Sequence, residues 1–472
     1  MIEMSLAEVA EVVGGVAHGT ATVTGAAFVD TRTPETGGLF VALAGERVDG
    51  HDFASAAGDA GAVAVLGSRP TELPTVVVDD VTAALGRLAR HVVSRLPDVV
   101  VLAMTGSQGK TGTKDYLAHV LSEAGPTVAT RGNFNNELGV PLTVLRATPE
   151  TRYLVVEMGA RGVGHIADLC RIAPPHVAAV LNVGTAHIGE FGDREAIARA
   201  KGEIVEALAA DGTAVLNADD DLVAAMAART SATVTTFGDG SAGHPPDVSV
   251  SEVTTDEIGR QSFELAHRGS YATVHLAQVG AFQWRNAAAA AAMALAAGLD
   301  LDTVADSLAD AGPASRWRME LTERADGLVV VNDAYNANPE SMRAALETLA
   351  GIGSRSGRRT VAVLGEMREL GDEAAAAHHG VGAYAADVGV DVLVAVGPAA
   401  AAIADGFREG SGAGGTGRVT IPTAGRGEAA DWLRHNVSAA DVVLVKASRG
   451  AALELIADDL LTRGGNEGST TR

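Results

Sequence analysis

Short apolar runs alternate with helix-period stretches along most of the 472-residue chain, and the runs are continuously apolar. That is the pattern of parallel strands covered by helices on both faces. Between residues 98 and 312 the runs at 99–104, 153–156, 177–181 and 213–216 read as such strands. A helix is expected over 113–124, stopped by Gly125-Pro126, and another from 194 to about 210, capped by Asp193. Residues 240–275 are less regular and read as two or three antiparallel edge strands, after which Asn286 opens an Ala-rich helix at 287–297. Residues 1–97 form a smaller α/β pattern, with strands at 38–43 and 75–78, helices at 53–60 and 83–96, and Pro97 closing it. Beyond a hinge at Ala311-Gly312-Pro313, residues 313–472 show a third α/β pattern with strands at 328–331, 360–364, 392–396 and 442–445. The expectation is an α/β protein of three domains, 1–97, 98–312 and 313–472, with a flexible loop at 410–417 and a disordered tail at 464–472.

Composition narrows the function. A net charge of −23 argues against a broad basic face for nucleic acid, and it requires any polyphosphate ligand to be held by local cations or metal. Cys170 is the single cysteine, which excludes an internal disulfide and fits a reducing compartment. The amino terminus is acidic where a signal peptide would be basic, and the longest apolar stretch, 287–297, is too short to span a bilayer. A cytoplasmic enzyme is expected.

The candidate chemistry centres on Thr105-Gly106-Ser107-Gln108-Gly109-Lys110-Thr111, set between an apolar run and a helix. Glycines let backbone N–H groups turn inward, the helix start carries partial positive charge, Lys110 adds a full charge, and the Thr111 hydroxyl can hold Mg²⁺. The spacing is G-x-x-G-K-T, shorter than the common phosphate loop, which would need Gly where Met104 stands. Ligands of such sheets collect at the carboxyl ends of the strands. Glu157 stands at one of these ends, as a Mg²⁺ ligand or an exposed acid, and His187 follows another, as a functional or a structural histidine. Lys201 falls on the apolar stripe Ile197, Ile204, Val205, Leu208 of its helix. It either reaches to water or serves chemistry as a neutral amine that captures CO₂; spacing alone favours the first. Asp30-Thr31-Arg32 reads as a loop with a surface ion pair. In the third domain, strand-end loops at 332–339, 365–368 and Lys446-Ala447-Ser448-Arg449 suggest a second ligand edge.

Taken together these stretches resemble the Mur ligase family, the ATP-dependent amide-forming enzymes of peptidoglycan synthesis. The match extends through Leu39 to Phe53, Gly132-Asn133-Phe134-Asn135-Asn136-Glu137-Leu138-Gly139-Val140-Pro141, Val156-Glu157-Met158-Gly159, Asn182 to His187, Ala200-Lys201-Gly202-Glu203-Ile204, Asp333-Ala334-Tyr335-Asn336-Ala337-Asn338-Pro339, Leu364-Gly365-Glu366-Met367 and Val445 to Arg449. The run from Asp333 to Pro339 points to the member that adds a dipeptide. The resemblance implies an N-terminal domain for a UDP-linked substrate, a central ATPase domain and a Rossmann-like C-terminal domain. It implies that Gly106, Ser107, Gln108, Gly109, Lys110, Thr111, Asn286, Arg318 and Asp333 hold ATP. Thr111, Glu157, His187 and a carbamylated Lys201 then serve two Mg²⁺ ions, with Lys110, Glu157, His187 and Lys201 catalytic. Asp30, Thr31, Arg32, Asn135, Asn136, Asn336, Asn338, Lys446, Ser448 and Arg449 are implied to face substrate. The implied substrates are UDP-N-acetylmuramoyl-tripeptide and D-Ala-D-Ala, the implied state a monomer, and the third domain is expected to close over the second on binding. Phe282-Gln283 stand where the family usually has His-Asn, Ala447 replaces a common Gly, and Arg318 is preferred over Arg316 for the family's arginine. The alternatives are a sibling ligase that adds a single amino acid, a folylpolyglutamate-type ligase, a phosphate-loop regulatory ATPase, or a non-catalytic nucleotide-sugar binder.

Overall fold

A computed structural model describes residues 1–45, 48–184, 193–412 and 418–462. The expected tail at 464–472, the stretch 413–417, Glu46-Arg47 and His187 lie outside the described residues. The described chain divides into two compact units. The first comprises Met1–Val183, Arg194–Val248 and Ala289–Asp300, the second Gly184–Asp193, Ser249–Ala288 and Leu301–Arg472.

The first unit contains a two-stranded antiparallel pair, Met4–Ser5 with Thr22–Val23, and two larger sheets. The smaller is ordered Val16–His18, Thr75–Val77, Ala64–Gly67, Leu39–Val41, Ala27–Phe28, with the first pairing antiparallel and the others parallel. The larger runs, among this unit's strands, Thr233–Gly238, Thr213–Asn217, Val177–Val180, Val100–Thr105, Tyr153–Glu157, Thr127–Ala129, all parallel. Strand Val100–Thr105 is flanked on both sides, so the loop that follows it opens in the middle of the carboxyl edge. Register sets its neighbours: Met104 pairs with Glu157, and Thr105 pairs with Val180. Helix Lys110–Ala124 buries Tyr116, Leu117, Val120 and Leu121, and packs against strands Tyr153–Glu157 and Thr127–Ala129. Helix Arg194–Glu206 packs on Val177–Val180 and Val100–Thr105. Cys170 is buried, and burial pushes its thiol up to about 12.

The second unit holds strand Val248–Thr255 from Ser249 onward, with Arg260–His267 and Ser270–Val279 beside it, the last two antiparallel, and helix Leu301–Asp310 packed on the third strand. Its main sheet runs Glu320–Glu323, Val329–Asn332, Asp441–Lys446, Arg359–Leu364, Val392–Val396, Val419–Thr423, parallel apart from the first pair. Strand alternation sorts side chains into two cores. Val329, Val331, Ala362, Leu364, Val442 and Leu444 face one side with Met342, Ala345, Leu346, Leu349 and Ile352, which form a single stripe of helix Pro339–Ser356. Leu328, Val330, Val361, Val363, Val443 and Val445 face the other, with Leu433, Ile456 and Leu460.

Several boundaries differ from the sequence expectation. The phosphate-loop helix begins at Lys110, not 113, because Gly109 supplies the left-handed turn that starts it. The helix carrying Lys201 ends at Glu206, short of 210. The Ala-rich helix starts at Gln283, so Asn286 lies inside its first turn. No helix among the described residues is long and apolar enough to cross a membrane.

Candidate active site

The phosphate loop is held from below by its neighbouring strand end. Asn182 accepts the Gln108 N–H through Oδ1 at 2.9 Å and donates through Nδ2 to the Gln108 carbonyl at 3.1 Å, while its own carbonyl accepts from Ser107 N at 3.2 Å. Gly109 has φ +77°, a conformation costly for residues with a Cβ, and it aims the first helical turn at the loop. Lys110 folds back over the loop, donating to the Gly106 carbonyl at 2.6 Å. An ammonium at this place faces whatever the loop's N–H groups bind.

Beside it, Thr111 Oγ1 donates to Glu157 Oε2 at 3.1 Å, and Asn135 Nδ2 donates to Glu157 Oε1 at 2.8 Å. Thr130 Oγ1 accepts from the Glu157 N–H at 3.0 Å, fixing the strand end. Glu157 is 1% exposed, so the exposed-acid alternative fails. A hydroxyl and a carboxylate meeting next to a phosphate loop make an all-oxygen donor set, which suits Mg²⁺ completed by ligand phosphates. Among the described residues, no group of three His, Cys, Asp or Glu side chains forms a metal site of its own.

Lys201 does not reach to water: it is 5% exposed, enclosed by the stripe on which it lies. Spacing could not decide this, because it shows which face a residue shares and not how deeply that face is covered. Burial pushes the Lys201 ammonium well below the ordinary lysine range, and the charge of Lys110 pushes it the same way. Glu203, two residues on, accepts the N–H groups of Gly164 and Ala167 at 2.5 and 3.0 Å, tying this helix to the start of helix His165–Ile172. Arg229 donates to the carbonyls of Ala198 and Arg199 at 3.0 and 2.8 Å, in a space that a Cβ on Gly202 would block.

The other expected contacts of this unit are local. Asp30 and Arg32 form an exposed ion pair at 2.7 Å, as the surface alternative supposed. Asn136 Oδ1 accepts from Gly139 N at 2.9 Å and shapes the turn before helix Gly139–Val144.

In the second unit, the strand ends bring Arg318, Asp333, Asn336 and Lys446 together. Asp333 Oδ1 accepts from Met319 N at 3.1 Å, and its Oδ2 accepts from Lys446 Nζ at 2.5 Å. Lys446 also donates to the Asn336 carbonyl at 2.9 Å and is 2% exposed. Burial lowers its pKa, Asp333 raises it, and Arg318 lowers it again. The Arg318 guanidinium lies 4.2 Å from the centre of the Tyr335 ring, and its Nε is buried without a hydrogen-bond partner among the described residues. Trp317 and Met319, on either side, have φ +59° and +49°, strained values for residues with side chains. Arg316 is exposed and lies over Trp317 instead.

Asn338 caps helix Pro339–Ser356, accepting from Ser341 N at 2.8 Å, which is its evident structural work. Ser448 Oγ accepts from Arg368 N at 3.0 Å. Arg449 pairs with Glu454 at 2.6 Å and lies over Trp317 at 4.3 Å. Asn286 donates to Gln283 Oε1 at 2.9 Å, so one of the two residues that depart from the family pattern orients a residue that keeps to it.

Asn182, Glu203 and Gln283 were not singled out as site residues by the sequence. Asn182 had a usable signal, a polar side chain directly after a buried strand, but its partner loop lies 74 residues away along the chain.

Comparison with known proteins identifies the family. Mur ligase catalytic, middle and glutamate ligase domain families match residues 28–106, 104–294 and 317–449. A UDP-N-acetylmuramoyl-tripeptide–D-alanyl-D-alanine ligase of Mycobacterium tuberculosis is 44% identical over 98% of this chain and 98% of that one. The Escherichia coli ligase of the same name is 38% identical over 85% of this chain and 88% of its own. A crystal structure of MurF from Acinetobacter baumannii superposes with a TM-score of 0.83 at 34% identity, covering 97% of this chain and 99% of the other. MurF from Thermotoga maritima in complex with ADP gives 0.77 at 30% identity, covering 94% and 98%. These share the α/β architecture of three domains expected from the sequence, and the chain belongs to the Mur ligase family.

Proposed function

We propose that this chain is an ATP-dependent ligase that joins D-alanyl-D-alanine to UDP-N-acetylmuramoyl-tripeptide through an acyl phosphate, in cytoplasmic synthesis of peptidoglycan precursors. The observation that carries this reading is the 44% identity to ligases of that one activity over 98% of both chains. Nucleotide use is supported by the ADP complex of a structural relative. The division into a UDP-substrate domain at 1–97, an ATP domain at 98–312 and a C-terminal domain at 313–472, and action as a monomer, belong to the same proposal.

A carboxylate is a poor acyl donor at neutral pH. Transfer of the γ-phosphoryl group to a carboxylate oxygen releases ADP and makes phosphate the leaving group. The dipeptide amine then adds to the acyl carbon, and the tetrahedral intermediate expels phosphate as the amine loses a proton. Lys110 faces the transferring phosphoryl group and offsets its charge, and the loop N–H groups braced by Asn182 align it. Mg²⁺ held at Thr111 and Glu157, with a second ion served by His187 and a carbamate on Lys201, would neutralise the mutual repulsion of carboxylate and phosphate. The buried, easily deprotonated Lys201 amine suits CO₂ capture, because only the neutral amine reacts. Asn286, Arg318 and Asp333 are carried forward as nucleotide-holding residues, and Asp30, Thr31, Arg32, Asn135, Asn136, Asn336, Asn338, Ser448 and Arg449 as the substrate-facing set.

The test is the dependence of phosphate release on each component. Release that needs both the UDP-tripeptide and D-Ala-D-Ala supports the reading. Equal release without an amine would replace it by a phosphate-loop ATPase.

A further inference from the structure

We infer that Lys446 is a positioning residue, the internal counter-ion that keeps Arg318 from collapsing onto Asp333. This rests on the ligase reading for the roles of Arg318 and Asp333, and it replaces the substrate contact expected of Lys446.

Lys446 ends the central strand Asp441–Lys446, level with Leu364 on one side and one residue past the Val445–Asn332 pair on the other. Its ammonium is enclosed, and its hydrogen bonds go to Asp333 Oδ2 at 2.5 Å and the Asn336 carbonyl at 2.9 Å. The second Asp333 oxygen accepts from Met319 N, in the strained turn that carries Arg318, and Tyr335 N donates to the Trp317 carbonyl at 3.2 Å. Asp333 is therefore held between Lys446 and the backbone beside Arg318. The Arg318 guanidinium is not spent on it: it lies over Tyr335 with a buried, unpartnered Nε among the described residues.

Two cations beside one buried carboxylate give a definite division of work. Lys446 neutralises the carboxylate, which leaves the arginine for an anion. Without Lys446, Asp333 is a buried charge missing its partner, a costly state. Arg318, close enough to depress the lysine's pKa, is the cation on hand to relieve it. The arginine would then be drawn onto Asp333 and lost to the nucleotide. A neutral residue at 446 thus harms nucleotide binding only while residue 333 is charged.

The experiment is a double-mutant cycle on the full chain, Lys446→Met and Asp333→Asn singly and together, read by ADP affinity and by KM for D-Ala-D-Ala. Lys446→Met is expected to weaken ADP binding about tenfold or more when Asp333 is intact, and less than about twofold when it is introduced on top of Asp333→Asn. KM for the dipeptide should be unchanged. Equal losses with and without Asp333→Asn, or a raised dipeptide KM with ADP affinity intact, overturn the inference. Should the single variant fail to fold, the double variant against Asp333→Asn decides. Matching ADP affinities support the inference, and a further tenfold loss contradicts it. Because ADP binding is read apart from ligation, a chain that shows this coupling but joins no amine loses the ligase reading and keeps the counter-ion.

Discussion

Lys201 shows what burial does to a single side chain. Closed among apolar neighbours and beside the charge of Lys110, its ammonium is disfavoured, and the amine becomes available at a pH where an exposed lysine is spent as a cation. If the neutral amine captures CO₂ and so becomes an anion, Lys201→Ala should lower ligation by roughly two orders of magnitude, as for loss of an electrostatic group at a transferring phosphoryl. Formate or acetate in the assay should restore part of the rate by entering the vacated space. Activity untouched by the substitution would remove the carbamate. The sequence made this residue visible through its place on an apolar stripe, but periodicity carries no depth. Whether Lys201 reaches water depends on the helix lying against strands Val177–Val180 and Val100–Thr105, which local spacing does not encode. The same limit applies to Lys446. Its pair of strand-end cations looked like a ligand edge, and only the register that sets it beside Asp333 shows where its charge goes.

At the scale of the element, the phosphate loop was legible because its parts are contiguous: an apolar strand, glycines at the turn, Lys110 and Thr111 at the helix start. What steadies it was not. Asn182 contributes two side-chain hydrogen bonds to Gln108 from the neighbouring strand end, a contact that exists only once strand order is known. Asn182→Ala leaves the Gln108 N–H without this acceptor and should destabilise the loop by about 1–3 kcal/mol. The KM for ATP should then rise severalfold, with an unchanged KM for the dipeptide and a thermal midpoint lowered by a few degrees. A dipeptide effect as large as the nucleotide effect would mean that Asn182 does not act through the loop. The helix starting at Lys110 follows the same logic. Sequence periodicity finds the apolar positions of a helix, whereas its first turn is set by the left-handed Gly109, which carries no periodic signal.

For the whole molecule, fold class followed from alternation. Continuous apolar strands require cover on both faces, and the second unit's two cores show each strand dividing its side chains between them. Grouping of the segments was less legible. Helix Leu301–Asp310 packs on strand Ser270–Val279, and both belong to the second unit although they precede the hinge read at 311–313. Glycine and proline mark where a chain can bend, not which neighbours a segment will bury against. The resemblance along the chain and the full-length match to named ligases converge on one reaction, and that reaction differs from its siblings in the amine it accepts.

The most direct measurement is therefore a competition. The purified chain is given ATP, Mg²⁺ and UDP-N-acetylmuramoyl-tripeptide with equimolar D-Ala-D-Ala and single amino acids, and the products are identified by mass. A UDP-pentapeptide should be the dominant product, with one phosphate released for each dipeptide joined. A tetrapeptide formed from a single amino acid, with D-Ala-D-Ala left unconsumed, would contradict the proposed reaction.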